Sequence, residues 1–428
     1  MARTKQKPTQ TQLQASFDFP DTAAADRLHL GLKEFSEFGK PTQILGRILE
    51  DGSRLPVYVN EFWTAKQRAA HRLHEVSYRA CFKPQLPRFF ISRLTEPGDI
   101  VYDPFMGRGT TLLEAGLLGR IPAGCDINPL STRLVEPRFS PPTRQEIAER
   151  LGTIDLFKKI AAPDELLVFY HPKTLQQIAN LRAYFQERLD AGKLDAVDGW
   201  IRMVATNRLT GHSAGFFSVY SLPPNQAVSV KSQTRINERR SQVPPERDVA
   251  TIILKKSKSL LSTLETDERS VLSAAASQAQ FLTASCDSTP ALRSDSVSLV
   301  VTSPPFLDVV DYETDNWLRC WFNHIDPKTV GIWQLKKPAD WSDRMTGVFH
   351  ELRRVLKPGG HIAFEVGEVL SGKVQLEDLV VPAGVAAGLT PILILINDQI
   401  FTKTSNCWGV DNLSKGTNTN RIVLFRKD

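Results

Sequence analysis

The stretch from Pro97 to Asp126 (PGDIVYDPFMGRGTTLLEAGLLGRIPAGCD) constrains the fold more than any other part of the chain. Pro97-Gly98-Asp99 spells a turn, and Ile100-Val101-Tyr102 is a short apolar run of strand character. Thr110 to Leu118 (TTLLEAGLL) has helical composition, with Gly119 where a helix would stop. Ala123-Gly124-Cys125-Asp126 then reads as the end of a second strand. A strand–loop–helix–strand unit of this kind starts a parallel α/β sheet, because two parallel neighbours need a crossover between them.

The same rhythm returns far downstream. Val297 to Thr302 is a buried-strand run, and Met345 to Leu356 suits a helix. Lys357-Pro358-Gly359-Gly360 reads as a turn, and His361 to Val366 and Asn420 to Arg426 read as further strands. Leu379 to Ile396 is nearly free of polar residues, but Pro382, Gly384, Gly388 and Pro391 interrupt it, so it reads as a buried helix-to-strand passage and not as a membrane span. Upstream, helices are expected over Thr64 to Glu75 and Gln85 to Leu94. Between the two α/β parts lies a long stretch with helical segments at Thr174 to Leu189 and Val249 to Leu261.

The expected organisation is therefore a disordered tail (1–25), one half of a sheet domain (26–138), an insertion (139–280) and the second half (281–428). A chain of 428 residues with 41% hydrophobic and 23% charged residues can build such a core. The five cysteines include no CxxC pair, so neither a disulfide framework nor a zinc site is indicated, and Cys320 with His324 reads as ordinary packing. With no apolar signal core at the start, the expected location is cytoplasmic and nucleoid-associated, with no membrane partner.

Charge is distributed unevenly. The net charge is +6, yet residues 201–260 alone hold ten Lys and Arg against three acidic residues. Lys231, Arg235, Arg239 and Arg240 in this window suit a phosphate-binding face; a solvated charge run would look the same. Gly211, Gly215, Phe216, Phe217 and Tyr220 just upstream read as a local core in preference to a DNA-facing loop.

Two motifs carry chemistry. Asp103-Pro104-Phe105-Met106-Gly107-Arg108-Gly109-Thr110-Thr111 lies between a strand and a helix, where glycines let the backbone approach a ligand. Asp126 ends the next strand, 17 residues after Gly109, where an acid can accept hydrogen bonds from ribose hydroxyls. The third glycine of a dinucleotide fingerprint is missing, which disfavours NAD. Thr302-Ser303-Pro304-Pro305-Phe306 follows the strand at 297, and two prolines there must turn the chain outward, at the sheet edge where open α/β folds bind ligands. A hydroxyl at Ser303, a carbonyl at Pro304 and an aromatic plane at Phe306 are what holding a flat base by its exocyclic amine requires. Asp308, Asp311 and Asp315 read as solvated or capping residues.

Together the motifs resemble the amino-methyltransferases of DNA that use S-adenosylmethionine. The resemblance covers roughly 60–135 and 280–370, with a weaker match through 421–426. It implies a Rossmann-like class I methyltransferase sheet of α/β class. It further implies cofactor contacts from Asp103, Phe105, Gly107, Gly109, Thr110, Thr111 and Asp126, and a target-amine site at Ser303, Pro304, Pro305 and Phe306. Lys83-Pro84 with Leu86 is similar to the family segment that packs over the cofactor, and Asp287 stands where the family places a polar contact to the adenine. Serine at 303 is similar to the cytosine-N4 branch, so the expected reaction is methylation of cytosine N4 in DNA by base flipping. Adenine-N6 methylation, an RNA amine methyltransferase and a non-catalytic DNA-binding module are the alternatives. The order of motifs departs from the family's named classes, because the insertion precedes Asp287; reading it as a DNA target-recognition region is an inference. Gln14 to Phe19 (QASFDF) resembles the short peptides that dock on replication sliding clamps, against the plainer reading of a polar tail. A separate restriction endonuclease partner is left open.

Overall fold

The computed structural model describes residues 23–49, 51–64, 70–79, 81–222, 227–305, 312–333, 335, 337–369, 374–398 and 419–428. The expected clamp-docking peptide, Phe306, Asp308, Asp311 and Cys407 lie outside these residues.

The described residues form eleven strands: β1 (Gln43–Ile48), β2 (Arg54–Asn60), β3 (Ile100–Asp103), β4 (Ile121–Asp126), β5 (Gln280–Thr283), β6 (Val297–Thr302), β7 (Leu356–Val366), β8 (Glu368–Val369), β9 (Val374–Gln375), β10 (Thr390–Asp398) and β11 (Thr419–Arg426). All but the small β8–β9 ribbon join one sheet in the order β1-β2-β10-β11-β7-β6-β3-β4-β5. β3 pairs in parallel with both β4 and β6, β4 with β5, and β6 with β7; β11 is antiparallel to both its neighbours. The chain moves outward from β3 to β5 and then returns to the other side of β3 at β6. The order therefore reverses between β3 and β6, and the carboxyl ends of those strands flank the resulting crevice. With its parallel centre, reversed strand and flanking helices, this is a Rossmann-like α/β sheet.

The helices are α1 (Ala23–Lys33), α2 (Gln85–Leu94), α3 (Thr110–Leu117), α4 (Pro129–Val135), α5 (Arg144–Thr153), α6 (Pro172–Asp190), α7 (Ala196–Thr206), α8 (Val230–Arg240), α9 (Val249–Leu260), α10 (Thr266–Ala276), α11 (Tyr312–Phe322), α12 (Pro338–Val355) and α13 (Glu377–Ala386). Strand alternation sorts the core. Tyr102, Val300, Ile362 and Phe364 point to one face and pack with Phe349 and Leu352 of α12. Val101, Leu299, Val301 and Ala363 point to the other face and pack with Phe90 and Ile91 of α2. Each buried Val, Leu, Ile or Phe among them contributes roughly 1.5–3 kcal/mol.

Most expected elements form where the periodicity places them, with differences at three places. Residues 65–69 of the helix expected over Thr64 to Glu75 lie outside the described residues, and its last part forms a 3-10 turn at Arg72–His74. Lys357 to Gly360 does not end an element; it belongs to β7 as an irregularity, with a register shift against β6 between Val297 and Leu299 and Gly359 at φ +76. α1 begins at Ala23, within the last residues assigned to the tail.

The insertion does not stand apart as a lobe with its own core. Ile178, Trp200 and Ile253 share one apolar cluster with Leu112 and Leu113 of α3 and Leu318 and Phe322 of α11. No helix among the described residues is long and apolar enough to cross a membrane.

Candidate active site at the carboxyl ends of the central strands

The loop after β3 is fixed by its own backbone. Gly107 and Gly109 adopt φ +47 and +69, in the left-handed region. A Cβ on Gly109 would stand 2.6 Å from Val135 Cγ2, so this position tolerates only glycine. The Met106 N–H donates to the Cys125 carbonyl at 3.0 Å, and the Gly109 N–H to the Met106 carbonyl at 2.5 Å. Gly109 caps α3 without a side-chain hydrogen bond, which leaves the amides of the first turn to the crevice. Arg108 points away from it and donates to the carbonyls of Val76 (3.0 Å) and Phe82 (3.4 Å), holding those two residues opposite the loop.

Two carboxylates face this loop. Asp126, at the end of β4, accepts the Gly107 N–H on one oxygen and the Asn128 N–H on the other, each at 2.9 Å. A carboxylate has about four acceptor positions, so these two bonds do not exhaust it and a ligand's hydroxyl can be accepted as well. Burial raises its pKa above the usual carboxylate value. Asp103, at the end of β3, is 1% exposed and accepts from Thr302 Oγ1 at 2.6 Å and the Phe105 N–H at 3.1 Å. Burial pushes its pKa up to about 7.

The Asp103–Thr302 bond has a second consequence. Thr302 ends β6, immediately before Ser303, so one hydrogen bond ties the β3 loop to the proline-turned loop. Thr111 Oγ1 adds another, donating to the Val301 carbonyl at 2.9 Å. Ser303 and Pro305 line the crevice, while Pro304 is buried. The Pro305 carbonyl accepts Trp341 Nε1 at 2.9 Å, which anchors the turn to α12.

Behind Ser303 stands Glu365 of β7, 7% exposed, which accepts a hydrogen bond from Asn420 Nδ2 (2.9 Å) and has the Ser303 hydroxyl as a polar neighbour. Burial raises its pKa. Sequence reasoning passed over Glu365; its one signal was a lone acid in the apolar run Ile362 to Val366 (IAFEV).

These elements enclose a cleft that opens to solvent. Of the expected cofactor residues, Asp103, Phe105, Gly107, Thr110 and Asp126 line it. Gly109 and Thr111 act one step back, shaping the loop and tying it to β6. Lys83 is exposed, and its neighbours Cys81 and Phe82 line the cleft in its place. Asp287 is likewise not part of the lining; it accepts Ser285 Oγ at 2.5 Å and pairs with Arg344 at 3.5 Å, while Cys286 lines the cleft. The donor set fits S-adenosylmethionine: a carboxylate with open acceptor positions for a diol, a second acid for a cationic ligand, and apolar surfaces at Phe105, Ile127 and Trp333 for a flat ring.

Asp315 is not solvated. It is 4% exposed and pairs at 2.5 Å with Arg79, which itself lines the cleft. Burial on α11 beside that guanidinium gives it a paired role.

Part of the basic window is spent on packing. Arg202 is 4% exposed and bonded to Asn323, Arg208 lies 4.0 Å over the Phe216 ring, and Lys256 pairs with Glu75. Phe216 and Phe217 are buried, in keeping with a local core. Lys231, Arg235, Arg239 and Arg240 of α8 are exposed, the first three spaced four apart along one side of the helix; Arg240 lies 3.8 Å over the Tyr220 ring. α8 starts beside α11: the Ala227 N–H donates to the Asp315 carbonyl (3.1 Å) and Trp317 Nε1 to the Val228 carbonyl (3.2 Å). The Asp315–Arg79 pair thus connects the start of the basic helix to the cleft wall.

Residues 28–136 match the family model described as DNA methylase. The chain is similar to the Type II methyltransferase M.MjaII of Methanocaldococcus jannaschii, 35% identical over 95 residues, which are 22% of this chain and 17% of the relative. It is also similar to the Type II methyltransferase M.MvaI of Kocuria varians, 26% identical over 161 residues, 37% of this chain and 31% of the relative. A tRNA (guanine(10)-N2)-dimethyltransferase of M. jannaschii is 42% identical over 64 residues, 14% of this chain and 18% of that protein. The matches span less than a third of the length of each of these curated relatives.

Proposed function

We propose, for a chain that carries a DNA methylase segment and resembles the S-adenosylmethionine-dependent amino-methyltransferases of DNA, that it methylates the exocyclic N4 amine of cytosine in DNA. The observation that carries the reading is the Asp103–Thr302 hydrogen bond, which fixes the cofactor loop and the Ser303 turn on one cleft.

S-adenosylmethionine would supply a methyl carbon on a sulfonium, the C–S electron pair returning to sulfur as the new N–C bond forms. Asp126 would hold the ribose hydroxyls, and Asp103 would face the cationic part. Ser303 would donate its proton to the Glu365 carboxylate beside it, leaving its lone pairs to accept a hydrogen from the amine. With the Pro304 carbonyl as second acceptor, the amine is turned so that its lone pair leaves conjugation with the ring and faces the methyl carbon. Phe306 would stack on the base. One amine proton is then lost to water. Placement of the reacting atoms supplies most of the rate in such a scheme, and extruding the base costs a few kcal/mol that stacking and hydrogen bonds offset.

Lys231, Arg235 and Arg239 would follow the DNA backbone from the cleft mouth outward, the inserted helices acting as the recognition region.

Nucleoside mass spectrometry of DNA from a methylation-free host tests the reading, with Ser303→Ala beside the wild type. N4-methylcytosine in the wild type alone supports it, with the variant reduced roughly 10²–10³-fold, as expected for loss of one preorganised polar contact, and still binding cofactor. N6-methyladenine would keep the mechanism and overturn the target. Modified RNA and unmodified DNA would overturn the substrate.

A further inference from the structure

The cleft has a wall that neither motif supplies. Gly331, Ile332 and Trp333 line it from the segment between a 3-10 turn at Pro327–Thr329 and the start of α12. Trp333 is half-buried at the mouth. Its indole meets the Phe105 ring edge-on, centroids 6.5 Å apart at 74°. On another side the Arg344 guanidinium of α12 lies 5.1 Å from its centroid, within cation–π range. Arg344 in turn pairs with Asp287 at 3.5 Å, and Asp287 accepts Ser285 Oγ at 2.5 Å. A chain of contacts thus runs from the loop after β5, through Asp287 and Arg344, to an aromatic plane bordering the cleft.

The sheet order says which part of a ligand this plane would meet. Ser303 follows β6, Asp126 ends β4, and Cys286 follows β5, the strand beyond β4. The Ala284 N–H donates to the Asp126 carbonyl at 3.1 Å, which keeps the Cys286–Asp287 turn beside Asp126. A ribose held at Asp126 would therefore carry its base toward the Cys286 wall, away from Ser303.

We propose that Trp333 stacks on the purine of the bound cofactor, and that Arg344 and Asp287 are positioning residues that act through the indole. This rests on reading the cleft as the S-adenosylmethionine site. It also reassigns Asp287: its carboxylate holds Arg344 over the indole in place of touching the adenine.

The experiment is an equilibrium titration of the full chain with S-adenosylhomocysteine, followed in parallel by calorimetry and by tryptophan fluorescence. Saturation should quench the wild-type emission. Trp333→Phe, which keeps a ring, should lose most of that quench with Kd changed by no more than about threefold, and Trp333→Ala should raise Kd roughly 5- to 150-fold, the range for losing one base–aromatic stack. Arg344→Ala and Asp287→Asn should each raise Kd less than Trp333→Ala, and neither should weaken binding further in the Trp333→Ala background. Unchanged quench and affinity in both Trp333 variants, with the wild type binding, would overturn the stacking role. Additive losses from Asp287→Asn and Trp333→Ala would overturn the coupling and return Asp287 to direct contact. A wild type silent in calorimetry would overturn the cofactor reading itself, which the variants cannot do.

Discussion

The loop from Asp103 to Thr111 and the loop from Gly211 to Tyr220 look alike as strings, each with two glycines and at least one phenylalanine. In the structure they use glycine for opposite purposes. Gly107 and Gly109 sit at positive φ and turn the chain so that amides and carboxylates face an open cleft. Gly211 leaves room for a ring: a Cβ there would lie 2.4 Å from Phe216, and Phe216 and Phe217 fill the space the loop encloses. One loop keeps a cavity open and the other closes its own. Glycine content alone does not separate the two; the backbone angle and the position after a parallel strand do.

Substitution at one glycine of each loop puts this contrast at greatest risk. Gly109→Ala should cost roughly 2–4 kcal/mol, from the left-handed backbone and the clash with Val135, and should abolish cofactor binding. Gly215→Ala meets only Ser213 Oγ at 3.6 Å and should stay within about 0.5 kcal/mol of wild type. Denaturant midpoints of the two variants decide it, and equal losses would sink the distinction.

What was legible follows the same division. β3, β4, β6 and β11, and helices α2, α3, α6 and α9, could be read because period and turn chemistry are local properties. The glycines and acids of the β3 loop could be read because backbone geometry dictates residue type there. Glu365 and Trp333 could not. Glu365 looks like one polar position in strand alternation, and only the pairing of β6 with β7, which sets Thr302 opposite Phe364, brings it to Ser303. Trp333 reaches Phe105 across 228 positions of chain. Gly359 and Gly360 misled because a bulged continuation of a strand and a turn share their composition.

A smaller effect tests the charge in the open loop. Burial holds Asp103 at about 7, so the folded protein keeps a proton there that the unfolded chain releases near 3.9. Stability without ligand should therefore fall as pH rises from about 4 to about 7. A cationic ligand prefers the ionised acid, so cofactor affinity should rise with pH by at most about tenfold per unit below 7 and level off above it. Asp103→Asn should flatten the profile. Burial raises Asp126 as well, and a profile that follows Asp126→Asn would reassign the titration to β4.

The smallest effect concerns the insertion, where packing and ligand binding compete for the same residue types. Arg202 is engaged inside the protein and Lys256 is paired with Glu75, whereas Lys231, Arg235 and Arg239 face water in one row. Their combined replacement by alanine should leave the unfolding midpoint within experimental scatter, because exposed charges contribute little to folding. The salt dependence of DNA binding is the discriminating readout. Each phosphate contact removed should flatten the slope of log K against log salt by about 0.9, so losing all three would lower it by roughly 2.7. An unchanged slope would make the row a solvated face like any other and move the search for the DNA track to the rim around Arg79. A changed slope with methylation rates preserved at saturating DNA would separate the helix that holds the substrate from the cleft that acts on it.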